Sequence, residues 1–222
     1  MLPPAERVTE NLPMTERALL MAIMEPVADR EDEFNDWYDL EHLPQMGAIP
    51  GILSATRFVA VDGWPTYLAV YDLADFSVLR NPAYRALTGA GFTPWSRRNL
   101  SAVRGWQRLT FIQQPPGPSG LAAGCGALLV CVFRETPDLT PAAAAMSAKP
   151  GVIQARAFGP GDETHEGAAL LIEAGAPASL PADAALDAGA VDLRLMRFSA
   201  RYVRYARRDP FAGFHAIESG RG

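Results

Sequence analysis

Ile49-Pro50-Gly51-Ile52-Leu53-Ser54-Ala55-Thr56-Arg57-Phe58 returns further along the chain as Lys149-Pro150-Gly151-Val152-Ile153-Gln154-Ala155-Arg156-Ala157-Phe158. Two more matches keep the same order. Ala18-Leu19-Leu20-Met21-Ala22-Ile23-Met24 is echoed by Ala127-Leu128-Leu129-Val130-Cys131-Val132-Phe133, and Tyr67-Leu68-Ala69-Val70-Tyr71 by Ala168-Ala169-Leu170-Leu171-Ile172. Three matches in one order make an internal repeat. The offset drops from 109 residues (Ala18 to Ala127) to 100 (Ile49 to Lys149). The second copy therefore lacks about nine residues, roughly two and a half helical turns, between its first two matching segments.

Each copy reads as strand, helical segment, strand, turn, strand, helical segment, strand. In copy one the helical segments are 29–43 and about 76–88, and the last strand lies near 100–112. In copy two they are 138–147 and about 178–188, with the last strand near 190–205. Asp62-Gly63 and Gly159-Pro160-Gly161 suit hairpin turns. The order βαββαβ is the ferredoxin-like arrangement. Leu19 to Met24 and Leu128 to Phe133 are apolar on both faces, so each sheet is covered twice. Helices cover one face; the sheet of the other copy covers the second. The fold expected is α+β, two fused ferredoxin-like repeats forming an intramolecular dimeric-type α/β barrel.

The Pro/Gly-rich run Gln113 to Gly120 cannot continue a helix or an inner strand. It divides the chain into a leader (1–16), a first repeat with the candidate site (17–113), a linker (114–123), a second, degenerate repeat (124–207) and a tail (208–222).

Hydrophobic residues make up 49% and charged residues 20% of the 222 residues, enough for a full core. Lys and Arg total 20, Asp and Glu 25, for a net charge of −5. That balance argues against nucleic acid or anionic membrane as partner. No run of about 18 apolar residues predicts a membrane span. The leader lacks an apolar signal core. Cys125 and Cys131 read as reduced core thiols, so a cytoplasmic chain is expected. The natural partner is a small molecule. A homodimer through a sheet edge, or through Phe211 and Phe214 of the tail, stays open.

The polar singularity is Asp29-Arg30-Glu31-Asp32-Glu33-Phe34-Asn35-Asp36-Trp37-Tyr38-Asp39-Leu40-Glu41-His42-Leu43-Pro44. Asp29 suits an N-cap, the acidic run suits the positive helix end, and Pro44 predicts a stop at Leu43. Counted from Phe34 in steps of about 100°, Tyr38 lies near 40°, Trp37 near 300°, Glu41 near 340° and His42 near 80°. Glu41 thus falls inside the aromatic stripe and His42 at its edge. A carboxylate among aromatics is protonated or paired. Two readings are open: Glu41 is an acid/base, or it is bound to an arginine such as Arg57. His42 is either a proton carrier beside Tyr38 or a cap for a helical carbonyl.

The pattern Phe34-x-x-Trp37-Tyr38-x-x-Glu41-His42-x-Pro44, followed by Ile49-Pro50-Gly51 and Arg57-Phe58, resembles the EthD-like branch of the dimeric α/β-barrel superfamily in a tandem-repeat form. The likeness covers residues 18 to about 110. That superfamily includes lactone isomerases, polyketide cyclases, cofactor-free monooxygenases and dehydratases. The resemblance implies a barrel with a small-molecule pocket and proton transfer by Tyr38, Glu41 and His42, with Trp37 as wall. Candidate substrate contacts are Trp37, Arg57, Tyr67, Tyr71 and Trp95. Copy two reads Thr140-Pro141-Ala142-Ala143-Ala144-Ala145-Met146 at the matching helix and keeps no Trp-Tyr or Glu-His.

The expected function is proton-transfer chemistry of the isomerase, dehydratase, cyclase or other lyase type, on a small aromatic or lactone-like molecule and without a cofactor. The alternatives are a non-catalytic binding or assembly protein, or a cofactor-free oxygenase. Ligand spacing for a metal, a phosphate loop and a nucleophile elbow are all missing from the sequence. Some tandem ferredoxin-like proteins bind haem, with copy two supplying the axial ligand. Here the strands and helices of that copy offer no histidine.

Overall fold

Eight strands pair antiparallel around a closed barrel. The computed structural model describes residues 16–118, 120–161, 167–182 and 192–206. The strands are β1 (Ala18–Glu25), β2 (Ile52–Asp62), β3 (Tyr67–Leu73), β4 (Arg104–Gln113), β5 (Ala127–Phe133), β6 (Val152–Pro160), β7 (Ala169–Ala174) and β8 (Met196–Arg204). Their order around the barrel is β1-β3-β2-β8-β5-β7-β6-β4. Each copy contributes a four-strand sheet, β4-β1-β3-β2 and β6-β7-β5-β8. The sheets join where Phe58 to Asp62 of β2 meet Arg201 to Arg204 of β8, and where Phe111 to Gln113 of β4 meet Phe158 to Pro160 of β6. The fused α+β barrel expected from the repeat is the fold observed.

The doubly apolar strands do what their pattern requires. Leu19, Met21 and Ile23 of β1 face the barrel interior, where they pack with Leu128, Val130 and Val132 of β5. Leu20 and Met24 face the helices of copy one. Leu129, Cys131 and Phe133 face the helix of copy two. Cys125 and Cys131 are both buried.

One end of the interior is polar. Arg156 Nη1 meets Asp72 Oδ1 at 2.7 Å and its Nε meets Glu173 Oε1 at 2.9 Å, with all three residues buried. The connection between copies seals this end: Leu121 N donates to Asp72 Oδ2 and Ala122 N to Glu173 Oε2, both at 2.8 Å. Ser54 and Gln154, one from each copy, add 2.7 and 2.8 Å bonds to the same two carboxylates. Charges buried this way survive because each has partners.

The repeated Pro-Gly marks a shared backbone need. Gly51 and Gly151 have φ of 94° and 83°, where a side chain is strained. A Cβ at Gly51 would come within 2.5 Å of Val78, and one at Gly151 within 2.9 Å of Ser179.

The helices of copy one are α1 (Glu31–Trp37), a π-helical turn (Tyr38–His42), α2 (Leu43–Gly47), α3 (Pro82–Ala86) and α4 (Pro94–Leu100); copy two has α5 (Thr140–Ser147). Three expectations are corrected. Asp29 is not an N-cap: it lies within a 3-10 turn, Ala28–Arg30, that leads into α1. The helix does not stop at Leu43 but runs on to Gly47. In an α-helix the Pro44 ring would meet the carbonyl of Leu40. The π turn widens the backbone there, and Leu43 N donates to Tyr38 O, five residues back. Finally, 94–100 is helix, so the last strand of copy one begins only at Arg104. In copy two a short 3-10 turn, Pro177–Ser179, opens the expected second helical segment. Residues 180–182 are not helical, and 183–188, the hairpin around His165, residues 1–15 and the tail lie outside the described residues.

Candidate functional site

A cavity of about 290 Å³ lies between the sheet of copy one and its helices. Its floor is Leu20, Ala22 and Met24 of β1, with Tyr71 of β3 beside them; its wall is Trp37, Tyr38, His42 and Met46. Tyr84, Thr88 and Phe92 close the far side, and Trp106 and Arg108 of β4 stand at the opening.

The π turn decides which helical residues reach it. It inserts one extra residue into the turn, so every later side chain lags the α-helical count by one place. His42 takes the position that a regular helix gives Glu41, in the middle of the aromatic stripe. Glu41 rotates toward α4, where its Oε1 accepts from Thr93 Oγ1 at 2.6 Å and Ser96 Oγ at 3.2 Å. Trp37 Nε1 donates to the same Ser96 hydroxyl at 3.1 Å. Thr93 caps α4 by accepting from Ser96 N at 3.0 Å, so this group fixes the helix of the site against α4. Among the described residues no arginine binds Glu41, and Glu41 does not line the cavity.

His42 stacks on Trp37 with ring centroids 4.8 Å apart and planes at 22°. Its ring meets Tyr38 edge-on at 5.2 Å. Burial pushes its pKa down to about 4, against a smaller upward pull from the Glu41 charge, and Arg57 adds a small push down. The imidazole is therefore neutral at pH 7. The Tyr38 and Tyr71 hydroxyls lie 3.5 Å apart. Burial raises both phenol pKa values, well above the ordinary value for Tyr71. Both are protonated near neutrality and available as donors.

Arg57 sits behind this site, not in it. Its Nη1 donates to Asp39 Oδ1 and its Nη2 to Asn35 Oδ1, each at 2.6 Å. Its guanidinium lies 4.5 Å from the Tyr38 ring centre and 4.1 Å from that of Tyr205. Tyr67 shares a strand face with Tyr71 but belongs to the Arg57 side. It donates to Glu31 at 2.6 Å, accepts from Asn35 at 3.0 Å, and burial with that Glu31 contact lifts its pKa to about 12. Trp95 is partly buried on α4 and does not line the cavity. Thus Trp37, Tyr38, His42 and Tyr71 come together, while Glu41, Arg57, Tyr67 and Trp95 support them from outside.

Sequence reasoning missed Tyr84, Trp106 and Arg108. The available signal was alternation in β4: Trp106, Arg108 and Thr110 share one face, and Leu109 and Phe111 the other. Arg97 and Arg98 of α4 lie on the surface: Arg97 donates to Ala90 O and Arg98 pairs with Glu33. Among the described residues no cluster of His, Cys, Asp or Glu has the makings of a metal site, and no helix is long and apolar enough to cross a membrane.

No family model and no curated protein matches the chain. Solved structures do. An anthrone oxidase-like protein aligns with a TM-score of 0.60 at 12% identity, covering 87% of this chain and 93% of its own. A monooxygenase-like protein of Fusobacterium nucleatum aligns at 0.58 and 11%, covering 86% and 92%. A heme-binding protein of Thermus thermophilus aligns at 0.55 and 9%, covering 86% and 92%. At these identities the likeness is one of fold, and the fold is that of the dimeric α/β barrel, completed here within one polypeptide.

Proposed function

We propose that the chain is an enzyme that moves a proton on a small aromatic or lactone-like molecule bound between the helices and sheet of copy one. One observation carries this reading: a neutral imidazole and two protonated phenols meet in an apolar cavity. His42 takes the proton from an acidic C–H of the substrate. Tyr38 donates a hydrogen bond to the oxygen that gains charge, with the Tyr71 hydroxyl beside it. A pKa near 4 makes the His42 imidazolium a strong acid, suited to returning the proton within the same turnover. Return to a different carbon is isomerisation; return to a leaving hydroxyl is dehydration. Glu41, through Thr93 and Ser96, is a positioning residue. That Trp37-Tyr38 and His42 form one wall of the cavity supports the EthD-like reading.

The anthrone oxidase-like and monooxygenase-like neighbours favour a second reading. The same deprotonated substrate would then give its electrons to dioxygen. Haem, which the Thermus neighbour binds, does not fit the described residues of copy two. In copy two the space between helix and sheet is filled by Leu129, Phe133, Leu139, Ala142 and Met146. No described residue there is a histidine available as the axial ligand. The cavity of copy one sits at the lower end of the small-molecule range of roughly 300–1,000 Å³.

The test is exchange of substrate C–H for deuterium in D2O, followed by NMR across a panel of phenols, β-dicarbonyls and unsaturated lactones. His42→Ala is expected to slow exchange by about 10²- to 10⁴-fold. A substrate turned over equally fast by His42→Ala sinks the proposal. An oxygen electrode separates the two readings: uptake matched to turnover selects the oxygenase.

A further inference from the structure

Arg108 lies on β4 opposite Ala22 of β1, on the face turned toward the helices, and it lines the cavity. Its Nε donates to the Tyr84 hydroxyl at 3.2 Å. The rest of its donor fork has no protein acceptor among the described residues, although the side chain is partly buried. The residues lining the cavity include no Asp or Glu. Three arginines near the helices of copy one are engaged elsewhere: Arg57 by Asp39 and Asn35, Arg98 by Glu33, Arg97 by a carbonyl. A partly buried cation at the mouth of an apolar cavity that holds no counter-charge is complemented by a ligand that supplies one. A planar fork beside a phenol suits a flat oxyanion.

We propose that Arg108 and Tyr84 form an anion subsite, so that the molecule bound here is an aromatic acid carrying a carboxylate or a phenolate. This rests on the proton-transfer reading for its link to turnover. Tyr84 also lies close enough to Tyr71 to influence its ionisation, so the anion seat adjoins the phenol pair. An anion held there also favours the protonated form of His42 during the reaction. The large aromatic lining then recognises the ring, and Arg108 its orientation.

Binding to the full chain tests this directly, read by quenching of tryptophan fluorescence and by calorimetry. One arm compares 1-naphthoate with 1-naphthamide; the other compares 4-nitrophenol at pH 8.5 with 4-nitroanisole. The wild-type protein is expected to prefer the anion by roughly ten- to a hundredfold in at least one arm. Arg108→Met removes that preference and leaves the neutral ligand's affinity in place. Arg108→Lys, which keeps the charge but not the fork, retains part of it, and Tyr84→Phe loses a few-fold. Preference confined to one arm assigns the carboxylate or the phenolate, and either result supports the subsite. Equal binding of anion and neutral analogue in both arms by the wild-type protein overturns it. So does an anion preference that survives undiminished in folded Arg108→Met. His42→Ala separates the two proposals. If it keeps the anion preference yet leaves turnover intact, the proton-transfer reading fails and the subsite stands. If it abolishes turnover while the wild-type protein shows no anion preference, the reverse holds.

Discussion

The two copies build the same sheet and fill the space above it in opposite ways. In copy two, α5 presents Ala142, Ala143 and Met146 to the sheet and closes directly on it, leaving these side chains buried. Small side chains allow that close approach. In copy one the helix presents Phe34, Trp37 and Tyr38, and the rings hold it off the sheet. The π turn and Pro44 lengthen that segment further, and a cavity remains beneath it. The nine or so residues missing from copy two are thus the difference between a wall and a floor. One copy holds a cavity above its sheet and the other fills the matching space.

The barrel depends on the joint between the copies, and breaking it should have the largest effect. Arg156 serves one carboxylate from each copy. Arg156→Met leaves Asp72 and Glu173 buried without their cation, a loss of about 3–5 kcal/mol. Urea unfolding should show it as a shifted midpoint in a single transition for both copies. Two separated transitions would mean that the copies are independently stable.

Cavity formation should cost differently in the two copies. Leu139 is fully buried under α5, and Leu139→Ala leaves a void worth about 3 kcal/mol. Phe92 borders a cavity that already exists and is partly exposed. Phe92→Ala should cost below ~1 kcal/mol because few contacts are lost, while altering ligand affinity. Equal losses at the two positions would contradict the contrast between filled and hollow copies.

What could be read in advance follows the same divide. The repeated Pro-Gly, with positive φ at Gly51 and Gly151, and the doubly apolar β1 and β5 disclose the fold, because these are local requirements of backbone and burial. Counting at a constant helical step sets Glu41 inside the aromatic stripe and His42 at its edge, and the structure exchanges those positions. A π turn depends on how Pro44 is accommodated, and the count does not see it. Arg57, expected as the partner of Glu41, binds Asp39 instead. Arg108 and Tyr84 meet across 24 residues of sequence, and no local pattern announces such a pair.

Acid should distinguish the hollow copy from the filled one, since the described residues buried under α5 include no carboxylate and no imidazole. His42 has a pKa of about 4 in the fold, against 6.5 ordinarily. Between those values the unfolded chain binds a proton that the folded chain refuses. The stability difference is therefore absent above pH 6.5 and grows as pH falls toward 4, by up to ~1.4 kcal/mol per pH unit. His42→Leu should lack this slope. The check is the difference in urea midpoint between wild type and variant at pH 7.5 and at pH 5. A constant difference would place the imidazole in contact with water.

The smallest effect is expected at Glu41, and it bears most directly on the division of labour within copy one. Glu41 Oε1 accepts from two hydroxyls outside the cavity. Glu41→Gln retains an acceptor oxygen of the same reach, so stability should change by less than ~1 kcal/mol. Its only electrostatic consequence for the site is loss of the upward pull on His42. The acidic limb of the pH–rate profile should therefore move to lower pH, with the plateau rate changed by no more than a few-fold. A general base cannot be replaced by an amide so cheaply. A collapse of the plateau by about 10²-fold or more would return Glu41 to the chemistry and require the helix to rotate when substrate binds. A shift of the acidic limb alone fixes Glu41 as the residue that orients His42 and tunes its charge.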